Sequence, residues 1–317
     1  DLAAPATSED GRYLREALRY PLDDRAMMGL RRFASLAFRA GLVSRETISL
    51  YSPERLRPRA GGTDTSVSHP QIDHLSRSGA RSRVDRLLAH SADGGRLSMD
   101  DAMVLEQHAP TMDLMAAADL RRRVLHPHDA VTYIISRNVN YTNICVTACK
   151  FCAFYRPKNH REAYVLSRDQ MRGKLQELVD VGGVEVLLQG GLNPKLGIEY
   201  YEELFSWIKS EFPLDLHALS PEEIHHIMDI SGLTLGQTLD RLVASGMDSL
   251  PGGGAEVLDD AVRKRIAPLK CTSDQWLEVM REAHIRGMKA SSTLMFGVGE
   301  QPEHRVRHLL KLRDLQD

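Results

Sequence analysis

From residue 131 onward, short apolar runs alternate with amphipathic helical stretches, and this alternation constrains the fold more than any other feature of the 317 residues. Strand candidates are Val131–Ile135, Val184–Leu188, Leu214–His217, Met247–Leu250 and Lys289–Phe296. Helical patterns lie between them. One is capped by Ser167 and ends at Gly182-Gly183, one covers about 199–210, and one opens on Ser220-Pro221-Glu222-Glu223. Another covers about 273–286, and Pro302 opens the last. Proline in a first turn and acids near the positive end of the helix dipole mark a helix start. Strand–helix alternation predicts an α/β fold with a parallel sheet or barrel. In a β/α barrel the chemistry collects at the carboxyl ends of the strands.

Beyond the first strand candidate lies the run Cys145-Val-Thr-Ala-Cys149-Lys-Phe-Cys152, a C-x3-C-x2-C spacing. It supplies three thiolates on one loop, and a [4Fe–4S] cluster normally takes four cysteines. One iron is then left open to bind and reduce a small molecule, for which S-adenosylmethionine (SAM) is the usual guest. A tetrahedral zinc site is the competing use and would need a fourth ligand. His160 is the nearest candidate, beyond Pro157 on a polar stretch. Phe151, between two of the cysteines, with Phe154 and Tyr155 after them, would shield a cluster from water. The fourth cysteine, Cys271, precedes a helix start and reads as structural.

Other strand ends carry further candidates. Gln189-Gly190-Gly191 follows the second strand, where glycines allow close backbone approach and peptide groups can meet the amino group of the SAM methionine. His217 ends the third strand, with Ser220 and Glu222 just beyond; it is either a structural histidine or one that orients substrate or relays a proton. Pro251-Gly-Gly-Gly-Ala-Glu256 closes the fourth, adding a carboxylate to a loop open to a bulky ligand. Arg263-Lys-Arg265 reads mostly as a solvated face.

Composition narrows the class. A chain that is 42% hydrophobic and 26% charged can bury a large core, and its net charge of −2 gives no global basic field for nucleic acid. No apolar run approaches the ~20 residues of a membrane span. Four cysteines in 317 residues do not make a disulfide framework, and three of them clustered favour metal and a reducing, cytoplasmic setting. Residues 9–44 read as two helices, the second capped by Asp23 or Asp24 and stopped at Gly41. Residues 53–82, rich in Pro, Gly, Ser and Thr, have linker composition. Order resumes near Val84, with a capping box at Ser98 and Asp101 and a helix over about 112–125. The expected organisation is a helical segment over 1–52, a linker over 53–82, a helical lead-in over 83–130 and a barrel over 131–317.

Five stretches now carry a resemblance: Asn138-Val-Asn-Tyr-Thr-Asn-Ile-Cys145, Cys149-Lys-Phe-Cys-Ala-Phe-Tyr-Arg156, Leu187-Leu-Gln-Gly-Gly-Leu-Asn-Pro194, His217-Ala-Leu-Ser-Pro-Glu-Glu-Ile224 and Asp248-Ser-Leu-Pro-Gly-Gly-Gly-Ala-Glu256. From about residue 83 the chain resembles the radical SAM enzymes of the futalosine route to menaquinone. Cys-Ala-Phe-Tyr-Arg and Leu-Leu-Gln-Gly-Gly are most similar to the dehypoxanthine futalosine cyclases among them. Aminofutalosine synthase and the second subunit of FO synthase share much of the pattern. The resemblance implies a (β/α)6 barrel, here partial, with five strands and a truncated C-terminus. It implies a [4Fe–4S] cluster on Cys145, Cys149 and Cys152, and SAM near Phe151, Gln189, Gly190, Gly191, Ser220 and Glu222. It implies a 5′-deoxyadenosyl radical that takes a hydrogen from C4′ of the substrate ribose, after which the carbon radical attacks the benzoate ring. His217 and Glu256 are both candidates for the base that accepts the ring proton. An electron donor such as flavodoxin or ferredoxin is the implied partner. Residues 12–44 resemble the C-terminal tail of chorismate dehydratase, an enzyme of the same route. The competing class is a non-catalytic iron–sulfur or zinc scaffold.

Overall fold

The computed structural model describes residues 79–127 and 131–317. The chain divides into two compact units, Asp1–His69 and Pro70–Asp317, and every described residue belongs to the second. The expected helices over 9–44, the dehydratase-like stretch and most of the 53–82 linker lie outside the described residues. The end of that linker stretch is helical, because α1 (Gly79–Ala92) already starts within it.

Helices α1, α2 (Met99–His108) and α3 (Thr111–Leu125) form the lead-in. The Ser98–Asp101 capping box is present in both directions: Ser98 Oγ accepts from Asp101 N, and Asp101 accepts from Ser98 N. Val84, Leu88, Ala92, Leu105 and Ala117 bury a small core of their own.

The sheet is all parallel, in the order β1 (Ser136–Asn140), β2 (Glu185–Gln189), β3 (Asp215–Ala218), β4 (Ser249–Leu250), β5 (Lys289–Ala290). Sequential strand order is the winding of a barrel; a doubly wound sheet reverses direction at a switch point. The crossovers are α4 (Arg168–Asp180), α5 (Ile198–Glu211), the pair α6 (Pro221–Ser231) and α7 (Leu235–Ala244), and the pair α8 (Asp260–Ile266) and α9 (Ser273–Ile285). Helix α10 (Pro302–Gln316) follows β5. Ser220 caps α6, Pro221 takes its first turn, and Gly232 ends it in the left-handed region at φ 65°.

The register separates two faces. Val139 pairs with Leu188 and Leu188 with Ala218; Val186 pairs with Leu216. All five are buried, and this face seats the helices with Tyr201, Phe205, Ile224 and Trp276 in the main core. The alternate row runs Asn138, Leu187, His217, Ser249, Lys289 across the five strands, flanked by the pair Asn140–Gln189. That face is polar and at most half-buried, as the inner wall of an incomplete barrel must be.

Three expectations need correction. The apolar run Val131–Ile135 is not β1; Val131 and Tyr133 are 86% and 78% exposed, and the strand is the polar Ser136–Asn140. Only one face of β1 is covered, so Val139 alone supplies its buried side chain. The fifth strand ends at Ala290 and does not reach Phe296, which is 76% exposed. Among the described residues no strand pairs on its far side, so nothing extends the ladder. Helices α7 and α8 went unforeseen, although Thr234 and Gln237 form a capping box and Asp259 caps α8.

Candidate functional site

The cysteine loop leaves β1 and is tied by side chains of the segment just before it. Thr142 Oγ1 donates to Tyr164 O at 2.7 Å, and Asn143 Nδ2 donates to Glu162 O at 2.8 Å. Asn143 Oδ1 accepts from Tyr164 N, and Arg156 N donates to Asn143 O at 2.7 Å. Cys145 N donates to Arg156 O, Val146 N to Leu192 O and Lys150 N to Ile266 O. Ala148 sits in the left-handed region at φ 44°, between the first two cysteines. The loop is therefore held at both ends and in its middle.

Cys149 is buried, and Cys145 and Cys152 are half-buried. Burial pushes the Cys149 thiol up, the Lys270 ammonium pulls it back, and the thiols of Cys145 and Cys152 act on it as negative neighbours. Among the described residues no three Cys, His, Asp or Glu groups stand at metal-holding distances. The donor set nevertheless fits a cluster with one open iron: three neighbouring free thiols on a tied loop, with a cation beside them. It fits a closed zinc site less well. Cys271 Sγ donates to Glu222 Oε2 at 3.2 Å, and burial beside that carboxylate pushes its thiol well up. His160 Nδ1 already accepts from Glu162 N.

The turn after β2 is locked against this loop. A Cβ on Gly191 would lie 2.3 Å from Ile144 O and 2.8 Å from the Cys145 Cβ; one on Gly190 would enter the Tyr141 ring at 2.6 Å. Their N–H groups are spent inside the fold, Gly190 N on Glu223 Oε1 at 2.9 Å and Gly191 N on Thr142 O at 3.0 Å. An ammonium ligand needs acceptors, so this turn would meet one with carbonyl oxygens. Gln189 Nε2 donates to Leu219 O and packs on Gly253, where a Cβ would lie 2.6 Å from that nitrogen. A Cβ on Gly252 would lie 2.0 Å from Ser291 O. The Gly252–Gly254 turn thus brings strand ends together.

His217 stands on the polar face, its Nδ1 2.7 Å from Ser249 Oγ. Burial lowers its pKa, with Glu185 opposing, so the imidazole is neutral at neutral pH. Glu256, at φ 46°, pairs with Lys270 at 2.8 Å, the two side chains only 15% and 11% exposed. Lys270 Nζ lies 5.5 Å over the Phe151 ring. Burial works against the Lys270 charge, but Glu256, Cys149 and Glu222 outweigh it and hold its pKa above the usual value. Glu222 is buried with both oxygens engaged: Oε1 accepts from Cys271 N at 2.7 Å, and Oε2 faces Cys271 Sγ and Arg263. Arg263 is itself buried, donating to Gly254 O, Ala255 O and Cys271 O. That corrects its expectation as a solvated residue; Lys264 and Arg265 are exposed.

Sequence reasoning also passed over Glu223. It is buried and accepts from Tyr141 Oη at 2.7 Å, Gly190 N at 2.9 Å and Ser220 Oγ at 2.7 Å. Burial pushes its pKa up to about 7, partly offset by those hydrogen bonds. This carboxyl joins β1, the glycine turn and the α6 cap. Ser220, a SAM candidate, therefore also has a structural partner. The available signal was the pair Glu222-Glu223 in one first turn, too many acids for a single solvated position.

Glu223 gives a pH prediction. Its pKa is about 7 folded against an ordinary 4.5, so the folded state holds the extra proton between those values. Its stabilisation is complete below pH 4.5 and is lost as pH rises through about 7. His308 runs the other way: burial holds it at about 4, so stability is lost as pH falls from 6.5 through 4. Comparing Glu223→Gln with the parent isolates the carboxyl. The parent should lose on the order of 3 kcal/mol relative to the variant between roughly pH 4 and roughly pH 8. Urea midpoints across that range check it, and parallel curves would refute it.

Residues 139–312 match the radical SAM superfamily. The chain belongs to that superfamily. Radical SAM proteins use a [4Fe–4S] cluster and SAM, which agrees with the donor set after β1. The chain is 43% identical over 235 residues to a protein of Halalkalibacterium halodurans named cyclic dehypoxanthine futalosine synthase, covering 74% of this chain and 64% of that protein. A protein of the same name from Streptomyces coelicolor is 44% identical over 235 residues, covering 73% and 59%. A Methanosarcina barkeri protein named 5-amino-6-(D-ribitylamino)uracil--L-tyrosine 4-hydroxyphenyl transferase 1 is 38% identical over 235 residues, covering 74% and 61%. The chain thus spans about three fifths of the length of these curated relatives. Among solved structures, methylornithine synthase (PylB) matches with TM-score 0.55 at 18% identity, over 72% of this chain and 64% of that one. HydG, a maturase of the [FeFe]-hydrogenase, matches with TM-score 0.57 at 14% identity, over 77% and 53%. At these identities the likeness supports the radical SAM barrel fold alone. No described helix is long and apolar enough to cross a membrane.

Proposed function

We propose that this radical SAM protein catalyses the cyclisation of dehypoxanthine futalosine to cyclic dehypoxanthine futalosine. The observation that carries the proposal is the joining of the cysteine loop to the β2 turn through Gly191, in a chain 43–44% identical to two proteins named for that synthase. Cys145, Cys149 and Cys152 hold the cluster. The carbonyls of Gly190 and Gly191, with Gln189 and Ser220 beside them, face the methionine end of SAM; Glu222 supports that wall from within. When bound, cluster and SAM supply the 5′-deoxyadenosyl radical that takes hydrogen from the substrate ribose. The protein's own part is to position the reactants and exclude water. Val257, Val262, Ile266 and Ala267 pack with Cys149, and the Lys270 ammonium acts on its thiol. A ring proton must leave the substrate, and His217 is better placed than Glu256 to accept it. Its imidazole is neutral and is held at Nδ1 by Ser249 Oγ; in the tautomer whose Nδ1 donates, Nε2 is left to accept a proton, whereas Glu256 is already tied to Lys270. The radical SAM domain runs over 83–317, after a linker over 53–82 and a separate segment over 1–52.

Anaerobic, iron-loaded protein with dithionite and SAM should release 5′-deoxyadenosine when dehypoxanthine futalosine is added. Release only with an enolpyruvyl-benzoate would assign the aminofutalosine synthase reaction. Release only with tyrosine and the ribitylaminouracil would assign the 4-hydroxyphenyl transfer of the 38% identical relative. One zinc per chain and no brown chromophore would leave a scaffold.

A further inference from the structure

Two chain segments close on Cys149, and one ion pair joins them. Val257 packs with Cys149 from the first segment, and Ile266 and Ala267 pack with it from the second. Lys150 N donates to Ile266 O at 2.9 Å, and Lys270 N donates to Ala267 O at 3.1 Å. The backbone therefore fixes the cysteine loop, the end of α8 and Lys270 to one another. Lys270 Nζ then reaches back to the first segment, donating to Glu256 Oε1 at 2.8 Å, next to Val257. The same ammonium stands 5.5 Å from the centroid of the Phe151 ring, on the stretch between Cys149 and Cys152. Both members of the pair are nearly buried. Two other buried charges of this region, Arg263 and Glu222, face each other at 3.8 Å.

We propose that Lys270 and Glu256 form an opposed pair of charges that sets the reduction potential of the cluster, the ammonium raising it and the carboxylate restraining it. The proposal rests on the cluster assignment above and is independent of the substrate. Reduction moves one electron from a low-potential donor to the cluster and makes it one charge more negative; no bond or proton need move. A neighbouring cation stabilises that state and a neighbouring anion opposes it, and cluster potentials follow net charge and solvent exposure. Burial gives the pair its reach, because salt and water screen buried charges much less than exposed ones. Lys270 already acts on the Cys149 thiol in the sense expected of such a cation. A bridge that merely closed the fold would be indifferent to which of its two charges was removed. A pair that tunes the cluster responds with opposite signs.

The test is a redox titration of the iron-loaded chain without SAM or substrate, with dithionite as the electron source and the paramagnetic resonance of the reduced cluster as the readout. Lys270→Gln keeps a donor toward Glu256 and removes the charge. At a fixed applied potential its ratio of reduced to oxidised cluster should fall about tenfold, which is ~59 mV for one electron. Glu256→Gln should move the ratio the other way, and Lys270→Arg should restore the parent value. Iron content shows that each cluster measured is complete. Equal potentials in the parent and both glutamine variants would overturn the proposal, as would two shifts of the same sign, which mark a bridge with a structural role alone. If Lys270→Gln holds no cluster, the rise or its absence in Glu256→Gln decides. A parent that assembles no cluster refutes the assignment of the three cysteines and takes the proposal with it, whereas a complete cluster with unmoved potentials refutes the proposal alone.

Discussion

Replacing Cys149 by alanine should abolish the iron–sulfur chromophore, dropping iron from about four per chain to background after anaerobic reconstitution. Cys149 is the middle and most buried of the three thiols, with Cys145 and Cys152 both within its electrostatic reach. Two remaining thiolates cannot hold a cluster that already has one open iron. Deoxyadenosine release should vanish with the chromophore. Cys271→Ala is the internal control. Among the described residues its thiol bonds to Glu222 and Arg263 alone, so the chromophore should survive. A cost of about 1–2 kcal/mol in urea unfolding is expected, because a buried carboxylate oxygen loses a donor. Retention of full iron by Cys149→Ala, or its loss in Cys271→Ala, would redraw the ligand set.

Gly191→Ala should damage the fold and the cysteine loop together. The added carbon would lie 2.3 Å from a backbone oxygen and 2.8 Å from the Cβ of a cluster cysteine. No flexible side-chain tip is there to move aside. Overpacking of this kind typically costs ~1–3 kcal/mol, and contact with backbone places it at the upper end. Relief can come only by pushing the cysteine loop away from β2, so iron retention should fall together with stability. Gly173→Ala, on α4, makes the contrast: nothing lies within 4 Å of its added carbon, and the variant should gain about 0.5–1 kcal/mol. Thermal melts and iron assays on the two variants separate a tight junction from a general intolerance of substitution.

The parallel α/β order, the crossover helices other than α7 and α8, and the cysteine loop were legible in the sequence because each has a local signature. Ser167 and Ser220 announce α4 and α6 through their own side chains. The position of β1 was not legible. Its inner face needs no apolar residues, so Ser136–Asn140 looks like a loop, while the apolar run just before it points to solvent. The glycine turns were found, but their purpose was not, because a Cβ clash with Ile144 O or Ser291 O depends on a distant partner. The partners of Lys270 and Glu223 were hidden for the same reason. Lys270 meets Glu256, Phe151 and Cys149 only after the chain closes, and Glu223 meets Tyr141 across 82 positions.

The two-faced register of the sheet has an evolutionary consequence. Asn138, Leu187, His217, Ser249 and Lys289 alternate along the strands with the residues that seat the helices. Descendants of this chain can therefore remodel what the inner wall recognises one point substitution at a time, leaving the helix seats untouched. A slip of β2 by one residue against its neighbours would exchange the two rows and turn Val186 and Leu188 toward the inner wall. New specificities in such a lineage should arise by replacement at every second strand position, with insertions and deletions confined to the connecting loops.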